Sequence, residues 1–253
     1  MKKLLVLTFA LMLLLCGCGK TETYESGGTL LPDFSTPDTS SAVSEPGDTP
    51  YKDVIADYRN MVSLTGSDEF SYEEVIEFFD EKIAPVLKTN EEDMGNVYGS
   101  VLDYEVGPIE EFGYKLIDMD DDGTDELFLL KNDEYGQGIL AFYTYADGAP
   151  KLISVYWPRY DAVLTEGKLL YTVGSSGAVY VTMEVSKLEN GKLVPIEVFG
   201  IDGYDEEKGK ENYFRTENNS QIFITEEEFD AISERYSDSF GPEWNASPII
   251  PLK

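Results

Sequence analysis

The chain has 253 residues, 49 Asp and Glu against 19 Lys and Arg, a formal net charge of −30 and no histidine. Nucleic acid and anionic headgroups repel such a surface, which excludes nucleic-acid binding. The two cysteines fall within the first 18 residues, so the body of the chain lacks the side chains for disulfides, cysteine nucleophiles, Ser-His-Asp triads and the usual zinc sites. Any metal must be held by oxygen, the donor that selects calcium or magnesium.

At the N-terminus, Lys2 and Lys3 precede an apolar run from Leu4 to Leu15, followed by Cys16, Gly17 and Cys18. A basic start, a short apolar stretch and a small residue before the cut describe a secretory signal peptide, and the run is too short to remain as a membrane span. Leu15-Cys16-Gly17-Cys18 resembles the bacterial lipoprotein signal, in which the cysteine after the cut is acylated and becomes the new N-terminus. An ordinary secretory signal that contains cysteines is the alternative. The resemblance implies a signal peptide over residues 1–17, a palmitate-type acyl group on Cys18, and a protein anchored to the extracytoplasmic side of the cell membrane by that lipid alone. Cleavage there removes Lys2 and Lys3 and no acid, taking the net charge from −30 to −32. Residues 18–50 are rich in Ser, Thr, Pro and Gly and hold little to bury, which makes them a disordered tether. Residues 51–253 are then one domain.

That domain starts with helices. Val54, Tyr58, Met61 and Val62 form one helical stripe, and Val75, Phe78, Phe79 and Ile83 form a second. Ser71 and Glu74 have capping-box spacing ahead of the second stripe, with Phe70 placed to staple onto Val75. From Gly113 the period changes to two. Turn signals at Asp147-Gly148, Glu166-Gly167-Lys168 and Glu189-Asn190-Gly191-Lys192 separate β-rich runs, which predicts successive antiparallel hairpins. Thr225 and Glu228 repeat the capping box, and Phe229, Ile232 and Tyr236 give the following helix an apolar face that packs on the sheet. The predicted class is α+β: N-terminal helices, an antiparallel β-meander of successive hairpins, and a C-terminal helix against the sheet.

The chemistry concentrates in YKLIDMDDDGTDELFLL, Tyr114 to Leu130. Counting from Asp118, carboxylates stand at positions 1, 3 and 5 (Asp118, Asp120, Asp122), Gly123 at 6, the Thr124 carbonyl at 7 and Glu126 at 9. Alternate residues of a tight loop turn their oxygens to one centre and glycine permits the bend, so the spacing suits a calcium ion. A solvated acidic hairpin turn is the other reading. An EF-hand needs a bidentate acid at position 12, which here is Leu129 in a strand-like run.

The stretch resembles the D-x-D-x-D-G-x-x-[DE] calcium loops of FG-GAP and integrin-type propellers. It is more closely similar to a Y-x-L-x-D-x-D-x-D-G-x-x-E-L segment of uncharacterised lipid-anchored or secreted proteins of Gram-positive bacteria. A propeller carries several such loops and this chain carries one. The pattern commonly has Gly at position 4, where Asp121 stands here and either strains the bend or adds an outer acid.

Elsewhere, Tyr156, Trp157, Arg159 and Tyr160 crowd around Pro158 and make a candidate ligand surface for a sugar or peptide, with Trp157 as a core residue the alternative. Ser175 and Ser176, flanked by Gly174 and Gly177, read as a hairpin loop, since no base accompanies them. Two functions remain open: a non-enzymatic recognition or assembly module of the cell envelope with one structural calcium, meeting a glycan or protein partner, or a surface hydrolase, foremost a carboxylate-dependent glycosidase.

Overall fold

The computed structural model describes residues 49–252 apart from 67–71, 105–106, 135, 208 and 237–238, and gives the backbone alone for residues 72–73. The predicted signal peptide, the predicted acylation site Cys18, the predicted tether as far as residue 48 and the predicted cap at Phe70 and Ser71 lie outside the described residues.

The helical layer follows from its stripes. Helix α1 (Lys52–Thr65) buries Val54, Ile55, Tyr58, Met61 and Val62. Helix α2 (Tyr72–Phe78) runs into a π turn at Phe79–Ile83 and a 3-10 turn at Ala84–Val86, and the extended backbone at Leu87 ends it. Helix α3 (Glu91–Asp103) starts where the Asn90 side chain accepts the amides of Glu92 and Asp93. The turn before it is fixed by the fully buried Asp57 carboxylate, which accepts the Lys88 and Thr89 amides and the Thr89 hydroxyl at 2.7–3.0 Å.

The chain then makes two antiparallel sheets. The first contains β1 (Phe112–Ile117), β2 (Glu126–Asp133), β3 (Gly136–Ala146), β4 (Ala149–Val155) and the short β11 (Ile250–Pro251), in the order β11-β1-β2-β3-β4. The second is a six-stranded meander of β5 (Tyr160–Leu164), β6 (Leu170–Gly177), β7 (Tyr180–Glu189), β8 (Lys192–Asp205), β9 (Lys210–Glu217) and β10 (Ser220–Ile224). Asp147-Gly148 and Asn190-Gly191 both adopt left-handed φ (55° and 81°, 52° and 67°), as the twist of a two-residue hairpin demands. Asn218 and Asn219 do the same between β9 and β10 (φ 50° and 60°), a turn that sequence reading passed over although Asn tolerates this region.

Three cores separate the layers. The first sheet packs one face on α1 and α3 through Phe112, Tyr114, Leu127 and Leu129. Its other face meets the second sheet through Phe128, Leu130, Ile139, Phe142, Ala162, Leu164 and Leu170, with Trp244 of helix α5 (Pro242–Ala246) among them. Beyond the second sheet, helix α4 (Glu226–Ser233) lays Phe229, Ile232 and the following Tyr236 on Tyr171, Val185 and Phe199. The architecture is α+β, helix–sheet–sheet–helix, and α4 carries the predicted capping box between Thr225 and Glu228. Because β2 is covered on both sides, its run ELFLL is continuously apolar after Glu126, not alternating. No helix among the described residues is long and apolar enough to cross a membrane.

The C-terminal segment is fastened across β1. Lys115, 3% exposed, donates from Nζ to the carbonyls of Trp244 (2.7 Å) and Ser247 (2.6 Å), and its ammonium lies 4.8 Å from the Trp244 ring centroid. Burial pulls the Lys115 amine down to about 8.

Candidate metal loop and aromatic groove

Strands β1 and β2 end on the pair Ile117 and Glu126, so residues 118–125 form the loop between two buried strands. Extended alternation continues a little past β1: Met119 points into the core between the sheets (4% exposed) and pins the loop, which leaves Asp118 and Asp120 on the opposite side. Gly123 takes φ 87°, a turn a side chain would resist. Glu126, 2% exposed, lies beneath the loop and accepts the Met119 amide at 2.8 Å and the Thr144 hydroxyl at 3.1 Å. One carboxylate oxygen each from Asp118, Asp120 and Glu126 lie within 4.8 Å of one another.

Two of these acids are under-satisfied. Asp118 uses one oxygen to accept the Gly123 amide (3.1 Å), while its Oδ1 and the Oδ1 of Asp120 are buried without a hydrogen-bond partner among the described residues. Burial pushes the Glu126 carboxyl up to about 7, against the lowering effect of the Met119 amide. Burial and then the Asp122 charge raise Asp120 as well. The Tyr51 phenol, fully buried, is raised by burial and then by the charges of Glu126, Asp122 and Asp125. Buried anionic oxygens facing one another are costly unless a cation joins them. The triad Asp118, Asp120 and Glu126 could therefore hold a metal ion, through oxygen alone.

The other sequence-predicted ligands are placed differently. Asp122 is exposed and stands outside the triad, its Oδ1 accepting the Thr124 amide at 2.7 Å in a local turn. Thr124 is half-buried. Asp121 has φ 61°, the left-handed conformation that glycine adopts most readily and Asp tolerates, and its carboxylate turns outward to an ion pair with Lys168 of the β5–β6 connection. Sequence gave no hint of Lys168, which is 47 residues away in the chain.

The aromatic surface is partly redrawn. Tyr156 is fully buried, its ring in the core between the sheets and its carbonyl accepting the Ser100 hydroxyl, so it does not belong to a ligand surface. The cause is strand-like alternation: after Tyr156 points inward, Trp157 points out, and reciprocal hydrogen bonds between Trp157 and Tyr160 (3.0 and 2.7 Å) close a tight turn over Pro158 and Arg159. Trp157, Arg159 and Tyr160 do come together, in an open groove of about 460 Å³ on the second sheet. Ser175 and Ser176 line it too, joined by Tyr180, Thr182, Asp202, Phe214 and Gln221 from strands that sequence reading did not connect with Trp157. The usable signal was glycine inside strands, at Gly174 and Gly200, where neighbouring rings fill the space.

Comparison with protein-family models, with curated proteins and with solved structures found no match to this chain.

Proposed function

We propose that this is a lipid-anchored protein of the extracytoplasmic face of the cell membrane whose domain holds one structural calcium ion and works as a non-enzymatic recognition or assembly module. The observation that carries the ion is the convergence of Asp118, Asp120 and Glu126, one carboxylate oxygen of each within 4.8 Å of the others, in a loop where the Oδ1 atoms of Asp118 and Asp120 are buried without a hydrogen-bond partner among the described residues. In this reading the triad supplies the central ligands, and Asp122 and the Thr124 carbonyl complete an oxygen shell of the size calcium takes. The ion neutralises the turn that sets the register of β1 and β2, so its role is structural: a one-residue slip would exchange Phe128 and Leu130 with Leu127 and Leu129 between two different cores.

Recognition is favoured over glycoside hydrolysis by the groove. Hydrolysis uses two carboxyl groups set across the scissile bond. Among the described residues the groove is lined by one, Asp202, already accepting from Gln221 at 2.8 Å. Anchoring rests on the Leu15-Cys16-Gly17-Cys18 sequence.

Two measurements test the reading. Calorimetric titration of the full chain with calcium should show one site per chain that magnesium fills poorly and that Asp118→Asn and Asp120→Asn abolish. Absence of calcium binding, or binding that survives both substitutions, would remove the site. In a bacterial host, Cys18→Ser should lose its acyl label and move to the soluble fraction, whereas release by Cys16→Ser alone would relocate the anchor.

A further inference from the structure

We infer that the groove on the second sheet is a binding site for an uncharged oligosaccharide, whose sugar rings lie flat on Trp157, Tyr160 and Tyr180, with Phe214 beneath them in the floor. The inference deepens the recognition reading and does not depend on the ion.

The floor is one cross-strand row, Tyr160–Gly174–Thr182–Gly200–Phe214, each residue the pairing partner of the next. Its two glycines are what let the rings lie down. A Cβ on Gly174 would stand 3.3 Å from Tyr160 Cδ2, and one on Gly200 would stand 2.9 Å from Phe214 Cε1 and 2.0 Å from the Val181 carbonyl oxygen. The rings are thus held against the sheet before any ligand arrives, which lowers the ordering cost of binding. Trp157 extends the row, its ring centroid 5.0 Å from that of Tyr160.

This row shares a face with the residues that make the core between the sheets, but it lies past the part that the first sheet covers. Ala162, Leu164 and Leu170, further along the same strands, are buried, as is Phe214 in the floor of the groove; Tyr180 on its wall is 50% exposed, and Phe223, the pairing partner of Phe214 on the next strand, is 67% exposed beside it. Aromatic area left in water to this extent marks a contact surface.

The surroundings select the ligand class. Most of the groove crosses the faces of β6 to β9, inner strands paired on both sides, so a peptide lying across them cannot bind by adding a strand; β5 at its end is the sheet's edge. The net charge of −30 repels a polyanion. What the groove offers is flat apolar faces beside groups that both donate and accept, namely the Thr182 and Ser176 hydroxyls and the Gln221 amide, with Arg159 as a donor and Asp202 as an acceptor. A neutral sugar matches that pattern, because its ring presents C–H faces and its edge presents hydroxyls that donate and accept.

The test is titration of the full chain with neutral hexasaccharides of glucose and of N-acetylglucosamine at up to millimolar concentration, in calcium and in chelator, followed by calorimetry and intrinsic fluorescence. The chain has two tryptophans and Trp244 is fully buried, so a fluorescence response reports Trp157. Expected are saturable binding of at least one hexasaccharide, a loss of roughly tenfold or more in Tyr180→Ala at unchanged melting temperature, and abolition in Ser176→Trp, which fills the groove from an exposed position. Binding by no hexasaccharide, binding that both variants retain, or binding of a neutral peptide library in place of the sugars would each overturn the inference. Failure here with calcium binding intact would leave the ion site standing.

Discussion

The acidic loop makes a prediction with a change of sign in it. Asp120→Asn keeps the size of the side chain and removes one charge from a group whose oxygens lie within 4.8 Å of each other. Two unit charges at that distance repel by about 0.9 kcal/mol in a water-like dielectric and about 3.5 kcal/mol at an effective constant of 20. At pH 8, in chelator, the variant should therefore be more stable than wild type by roughly 1–2 kcal/mol after screening. Calcium reverses the order. With a dissociation constant of about 0.1–1 mM, ordinary for an extracellular site, roughly 10 mM calcium stabilises the wild type by about 1.4–2.7 kcal/mol. At about 2–4 °C per kcal/mol for a domain of this size, that is a rise of roughly 3–11 °C in wild type and little change in the variant. Differential scanning fluorimetry of both proteins, with and without calcium, should show the two melting temperatures crossing. Equal rises would mean that calcium only screens the overall charge. A variant less stable than wild type in chelator would mean that the carboxylates do not oppose one another, and either result refutes the reasoning.

Three further outcomes follow from the packing. Phe128→Ala removes a ring stacked on Phe142 (centroids 4.7 Å apart) and set edge-on against Trp244 (5.4 Å), and should cost about 3–5 kcal/mol in urea denaturation. Lys115 has its folded-state value lowered to about 8 while the unfolded chain keeps the ordinary 10.5, so between these values the unfolded state binds more protons and stability rises with pH. The neutral amine still has two N–H groups for the Trp244 and Ser247 carbonyls, so wild type should gain stability between about pH 8 and 9.5. Lys115→Met should show no such gain and should be cleaved sooner by protease around residues 242–252. Thr225→Ala deletes the cap of α4 and should cost about 1 kcal/mol, seen as faster amide exchange over Glu226–Ser233.

What the sequence determined by itself was whatever the backbone enforces over a few residues. Helical stripes in α1, the reciprocal cap of Thr225 and Glu228, the Asp-Gly and Asn-Gly turns and the alternating hairpins all lie within one element or one connection, where 3.6- and 2-residue periods decide which side chains share a face. The carboxylate spacing of the loop was legible for the same reason, and so was the need for glycine at 123. Tertiary structure decided everything that depends on two distant surfaces burying each other. It divided one run of hairpins into two facing sheets, turned Tyr156 into the core while leaving Trp157 outside, and put Lys115 under the C-terminal segment. It also joined Lys168 to Asp121, and set Gln221 and Asp202 in the same groove as Trp157. No local period encodes those pairings, because each is chosen by the apolar area that two remote segments remove from water together.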